Sequence, residues 1–92
     1  ITAEWGIYMK IGDIKVIDNV NYLILDILEK NNNIYVMVTK LNENNEPTMD
    51  EYKVYKITEN KWQLEENKQT LNELLPIFTK NINNMLNKLM GE

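Results

Sequence analysis

The sequence predicts an α+β fold: a curled antiparallel β-meander of about five strands, shaped as a roll or small SH3-like barrel, with one C-terminal amphipathic helix. Three observations lead there. Between residues 9 and 66, short apolar runs alternate with polar pairs that favour tight turns. After residue 70 the apolar residues switch to helical spacing. The strands are also apolar on both faces, which a flat sheet with a single helix would leave half uncovered.

Residues 1–8, Ile-Thr-Ala-Glu-Trp-Gly-Ile-Tyr, hold the only alanine and neither lysine nor asparagine. Met9-Lys10-Ile11-Gly12-Asp13 then reads as a natural translation start, so 1–8 is expected to be a vector-derived remnant or an upstream extension. A docked first strand built on Trp5, Ile7 and Tyr8 is the alternative. Residues 9–92 form the expected single domain, with the meander in 9–66 and the helix in 70–90. Gly12-Asp13 suits a turn or bulge ahead of a strand. Ile14 to Ile17 is rich in β-branched residues, Asp18-Asn19 tolerates positive φ, and Val20 to Glu29 is the longest apolar stretch, so these make a first hairpin. Lys30 to Asn33 supplies the next turn, and Ile34 to Leu41 the third strand. Asn42 to Asp50, polar and containing Pro47, is expected as a surface loop. Tyr52 to Thr58 follows as a fourth strand, and Asn60-Lys61 turns the chain into a short fifth strand carrying Trp62 and Leu64.

Thr70-Leu71-Asn72-Glu73 matches the capping box, in which the Thr hydroxyl and the Glu carboxylate accept from each other's backbone N–H groups, and places the helix start at Thr70. Leu71, Leu75, Phe78, Ile82, Met85 and Leu89 follow at spacings of four and three, opposite Lys80, Asn83, Asn84 and Asn87. Pro76 lies inside this pattern, where it removes a backbone hydrogen bond, so a kink or a separate first turn is expected there. The stripe permits pairing with a second copy as a short coiled coil. Leu74, Leu86 and Met90 widen it beyond a narrow seam, which favours packing on the sheet of its own chain.

On the second strand, Tyr22 and Ile24 oppose Leu23, Leu25 and Ile27. On the third, Ile34, Val36 and Val38 oppose Tyr35 and Met37, and on the fourth Tyr52 and Val54 oppose Tyr55 and Ile57. One helix covers one face. The other must close by curling into a barrel, by the N-terminal segment folding across it, or by a partner.

Composition limits the chemistry. The chain contains no histidine, cysteine or arginine, which removes imidazole acid/base work, thiolate chemistry, soft-metal ligation and bidentate phosphate recognition. No disulfide framework, apolar membrane span or secretory signal is present in these residues, and a cytoplasmic location is expected. Fourteen acidic residues against ten scattered lysines leave a net charge of -4, so nucleic acid or an anionic membrane would need a local basic patch, and neither is expected as a partner. Fifteen asparagines could mark a prion-like tract, but they fall in turns and on one helix face, and with lysine and isoleucine they fit an AT-rich genome.

No motif carries a reaction. Asn42-Glu43-Asn44-Asn45-Glu46 resembles the start of a calcium loop but has Pro47 where glycine is needed and Lys53 where glutamate is needed. Asp50-Glu51 and Glu65-Glu66 read as solvated pairs. Tyr35, Tyr52, Tyr55 and Trp62 could form an aromatic platform, and without interleaved cations it suits core packing or a protein partner better than a nucleic acid. No catalytic, cofactor-binding or metal-ligating residue is assigned.

The order Tyr22-Leu-Ile-Leu-Asp-Ile-Leu, a polar turn, Ile34-Tyr-Val-Met-Val, an acidic loop, Tyr52-Lys-Val-Tyr-Lys-Ile, then Leu64-Glu-Glu and a helix resembles the YrzB-like small proteins of low-GC Gram-positive bacteria. The resemblance is one of pattern over roughly residues 22–90. It brings no catalytic motif and implies a compact cytoplasmic bacterial domain from a family of unknown function. The expected role is a non-enzymatic protein-binding module, with Tyr35, Tyr52, Tyr55 and Trp62 as contacts. The alternative is a self-associating structural or phage-derived component that forms a homodimer through the helix or a sheet edge.

Overall fold

Turn chemistry builds the sheet. In the computed structural model, which describes residues 9–89 and 91 and no side chain at 49 or 50, one antiparallel sheet contains β1 (Ile14–Ile17), β2 (Val20–Lys30), β3 (Asn33–Leu41), β4 (Pro47–Thr58) and β5 (Lys61–Leu64) in sequence order. Helix α1 (Lys68–Leu89) follows, and the expectations for residues 1–8 lie outside the described residues. Three hairpins turn on two residues that both have positive φ: Asp18-Asn19, Asn31-Asn32 and Glu59-Asn60. Such turns match the twist of the flanking strands, and asparagine adopts their left-handed backbone at little cost. The last pair sits one residue before the expected Asn60-Lys61, which places Glu59 at φ 52°. Glutamate lacks the short amide that eases this conformation. Glu59→Asn should therefore raise stability by about 0.5–1 kcal/mol in a urea titration, and a lowered midpoint would contradict the assignment.

The expected nine-residue loop is shorter, because Pro47 begins β4 as a strand-initiating proline. Asn42 closes the remaining turn. Its Oδ1 accepts from the backbone N–H of Asn44 at 2.8 Å and of Glu46 at 3.0 Å, while its own N–H donates to the Glu46 carbonyl at 2.9 Å. Thr48 Oγ1 donates to the Lys40 carbonyl at 3.1 Å and anchors the start of β4.

A bulge on β2 sets the two faces. The pairing with β3 shifts between Ile24 and Asp26, so Leu25 is an extra residue and Asp26 lies opposite Met37. Ile27 consequently pairs with Val36 and joins the face of Tyr22 and Ile24, not that of Leu23 and Leu25 as strict alternation predicts. One face buries Tyr22, Ile24, Val36, Val38, Tyr55 and Ile57. This face is concave. Lys15 of β1 places its ammonium 5.0 Å from the ring centre of Trp62 on β5, so the sheet curls until its first and last strands face one another. Tyr55 packs between Tyr22 and Trp62, with ring centres 6.3 Å and 5.8 Å away. The curl shapes the sheet as a half-barrel, and Met9, Ile17, Val20 and Trp62 pack against the core on its concave side.

Two groups on this side make the fold sensitive to base. The Lys53 ammonium donates to Tyr22 Oη at 3.1 Å, a bond that holds its pKa above the ordinary 10.5, and burial holds the Tyr55 hydroxyl above the ordinary 10.0. Both groups keep their protons more tightly in the folded chain than in the unfolded one. Their contribution is fully present below the unfolded values and is lost as pH rises through the raised ones. The thermal midpoint should stay level from about pH 7 to 9 and fall above about pH 10, with late tyrosinate absorbance. A midpoint that rises above that pH would contradict this assignment.

The convex face takes the helix. Leu74 and Phe78 are fully buried against Leu25, Tyr35, Met37 and Val54, with Leu71 and Ile82 partly buried beside them. The helix begins at Lys68, two residues before the capping box suggests, because the Oδ1 of Asn67 accepts from the Thr70 N–H at 2.9 Å. Pro76 lies within one continuous helix, with no separate first turn. Its ring is on the exposed side, where the carbonyl left without a donor by the missing N–H is open to solvent. Among the described residues no helix is long and apolar enough to cross a membrane.

Candidate functional site

The helix lies to one side of the convex face, over β2, and leaves the side toward β4 and β5 open. Asn81 Nδ2 donates to Asp26 Oδ2 at 3.0 Å, and Lys30 pairs with Glu73 at 3.2 Å, so α1 runs antiparallel to β2 and lies over it. On the other side of the helix no described element covers the sheet. A groove of about 690 Å³ remains there. Its apolar sheet wall is Leu25, Met37, Tyr52, Val54 and Leu64, and its apolar helix wall is Leu71, Leu75, Ile82 and Leu86. Tyr52, Leu64, Leu75 and Leu86 are exposed, which puts four of the exposed large apolar residues in one depression. Concentrated apolar exposure of this kind is characteristic of interaction sites, whereas scattered residues are ordinary.

Local structure explains each wall. Tyr52 lies opposite Thr39, whose buried hydroxyl donates to the Glu51 carbonyl at 3.2 Å and fixes that part of β4. Leu64 is the last residue of β5, at the rim where the chain leaves the sheet for α1, and the Glu65 N–H continues the ladder to the Val54 carbonyl at 2.8 Å. Leu75, Thr79 and Leu86 lie on the flank of α1 next to its buried stripe, so the helix cannot bury them without rolling Phe78 out.

The charged lining is sparse. Glu65 and Glu66 close the groove at the start of α1, and Glu65 Oε2 accepts from the Asn67 N–H at 3.1 Å. Lys53 also borders the groove, but its ammonium bonds to Tyr22 on the concave side. Among the described residues no group of three or more Asp and Glu side chains converges as a metal site would require.

The aromatic platform expected from Tyr35, Tyr52, Tyr55 and Trp62 does not assemble. Tyr35 is buried beneath α1, Tyr52 lines the groove, and Tyr55 and Trp62 pack on the concave side. Alternation explains the split, since Tyr52 and Tyr55 lie an odd number of residues apart on one strand. The expected helix stripe divides in the same way. Phe78 is core, Leu71, Ile82 and Met85 are partly buried, and Leu75 and Leu89 are exposed, Leu89 at 76%. Leu64 and Leu86 complete the groove without having been assigned to a site from sequence. Leu64 belongs to a short strand and Leu86 to the widened stripe, and only tertiary packing brings the two together. Ile14 and Val16 form a second, smaller exposed pair on the outer side of β1. No family model, curated protein or solved structure matches this chain.

Proposed function

We propose that this chain is a non-enzymatic protein-binding module that holds an apolar segment of a partner in the groove between α1 and β4–β5. The observation that carries the reading is the lining itself: Tyr52, Leu64, Leu75 and Leu86 are exposed together along one depression. The lack of histidine, cysteine and arginine supports a binding role over a catalytic one. A bacterial, cytoplasmic setting follows from the resemblance to the YrzB-like proteins and from the composition, and belongs to the same proposal.

The test compares three forms of the chain as bait in native extract: the wild type, the groove variant Leu75→Gln/Leu86→Gln, and the flank control Val16→Gln. All three positions are exposed, so circular dichroism should show intact folds. A partner bound by the wild type and the flank control should drop by about tenfold with the groove variant, as loss of an anchor requires. Equal capture by all three would sink the proposal. A homodimer is the second reading, because Leu75 and Leu86 are exposed on one flank of α1, where the same patch of a second copy would meet them about a two-fold axis. Light scattering separates the readings, since a monomer at high concentration supports a different partner.

A further inference from the structure

The convex face has room for two helices and carries one. Five strands spaced by about 4.8 Å span roughly 19 Å, whereas a helix with its side chains is about 10 Å across. Helix α1 lies over β2, and the groove occupies the remaining width over β4 and β5. Resting on the groove reading above, we infer that the occupant is a basic amphipathic helix of a partner protein, laid beside α1, with cationic residues toward Glu65 and Glu66.

Charge selects the sign of the partner. The glutamates form no ion pair with any described residue, and the lysine that borders the groove is committed to the Tyr22 hydroxyl on the opposite face. Among the described residues the groove therefore presents two carboxylates with no cationic side chain paired to them at one end of an apolar trough. A cationic side chain would neutralise them, and an anionic partner, including a fatty acid or a phosphate-rich polymer, would be repelled. Geometry selects the helix. The trough is lined mainly by apolar residues of the sheet and of α1, and a helix brings its own backbone hydrogen bonds to such a lining. Leu71 to Leu86 along α1 corresponds to roughly 22 Å, the length of four helical turns.

The experiment uses the intact chain and a labelled peptide of about 18 residues, apolar at i, i+3, i+4, i+7 and i+11, with lysines elsewhere. An isomer with glutamates in place of the lysines is the comparison. Fluorescence anisotropy should show the lysine peptide binding about tenfold more tightly, with the preference weakened by salt. Glu65→Gln/Glu66→Gln should shrink that preference several-fold and leave binding in place. Leu75→Gln/Leu86→Gln should abolish binding of both peptides while the circular dichroism spectrum is unchanged. If the glutamate peptide binds equally well, the charge inference is overturned and the groove reading stands. Should neither peptide bind, or both bind regardless of Leu75 and Leu86, the occupant is not a helix in this groove and the inference falls, while the groove reading is decided by the capture experiment above. A dimer that the Leu75→Gln/Leu86→Gln variant dissociates would assign the groove to a second copy of this chain and overturn the partner inference.

Discussion

Phe78→Ala should lower stability by about 3–5 kcal/mol, the largest effect expected of a single truncation of this helix. Phe78 is 0% exposed and lies at the centre of the convex core with Leu25, Tyr35, Met37, Val54 and Leu74. A small domain has about 5–15 kcal/mol in total, so the variant should be partly unfolded at room temperature if the chain sits at the low end of that range. The control lies three residues away. Leu75→Ala removes a side chain that is already 39% exposed and should cost about 1 kcal/mol or less. Urea titrations of both variants decide the matter. A Phe78→Ala loss below about 1 kcal/mol would mean that the helix does not pack on the sheet through this residue. The sequence pattern treats the two positions alike, as members of one 4-3 stripe.

How far the sequence could be read depended on the range of the interactions involved. Asp18-Asn19 and the Asn31-Asn32 pair announce their turns because backbone preference at two adjacent residues is local chemistry. The amphipathic period of α1 is also local, and it correctly assigned the helix to the sheet of its own chain through Phe78, Leu71 and Ile82. The β2 bulge was not legible in the same way. Asp26 interrupts an apolar run, and on strict alternation it falls on the Tyr22 and Ile24 side; the bulge turns it beneath the helix, beside Leu25, and moves Ile27 to the concave side. The signal was a carboxylate in the middle of the longest apolar strand. Its meaning depends on Asn81, 55 positions away, which no pattern along β2 reveals. The groove has the same character, since its sheet wall is set by which strands α1 leaves uncovered.

That pairing carries the second large effect. Asp26 is 7% exposed, and its carboxylate accepts from the Ile27 N–H at 2.9 Å through Oδ1 and from Asn81 Nδ2 at 3.0 Å through Oδ2. Removing a donor from a buried charge costs more than losing a neutral contact, because the carboxylate stays dehydrated with half its partners gone. Asn81→Ala should therefore destabilise the chain by about 1.5–3 kcal/mol, toward the lower figure because Asn81 is itself exposed and water reaches the vacated side. Asp26→Leu in the same background should recover part of the loss, since an apolar residue next to Leu25 needs no donor, and the bulge would lose only its bond to the Ile27 N–H. The double-mutant cycle separates this from simple loss of packing: coupling of at least about 0.5 kcal/mol is expected, and additivity within about 0.3 kcal/mol would show that the two side chains do not act together. The same cycle bears on function. The Asp26–Asn81 bond and Phe78 fix α1 over β2, and that position keeps the width over β4 and β5 open. An Asn81→Ala chain that stays folded should bind a groove partner more weakly than the wild type although Asn81 does not line the groove, and unchanged affinity would show that Phe78 alone positions the helix.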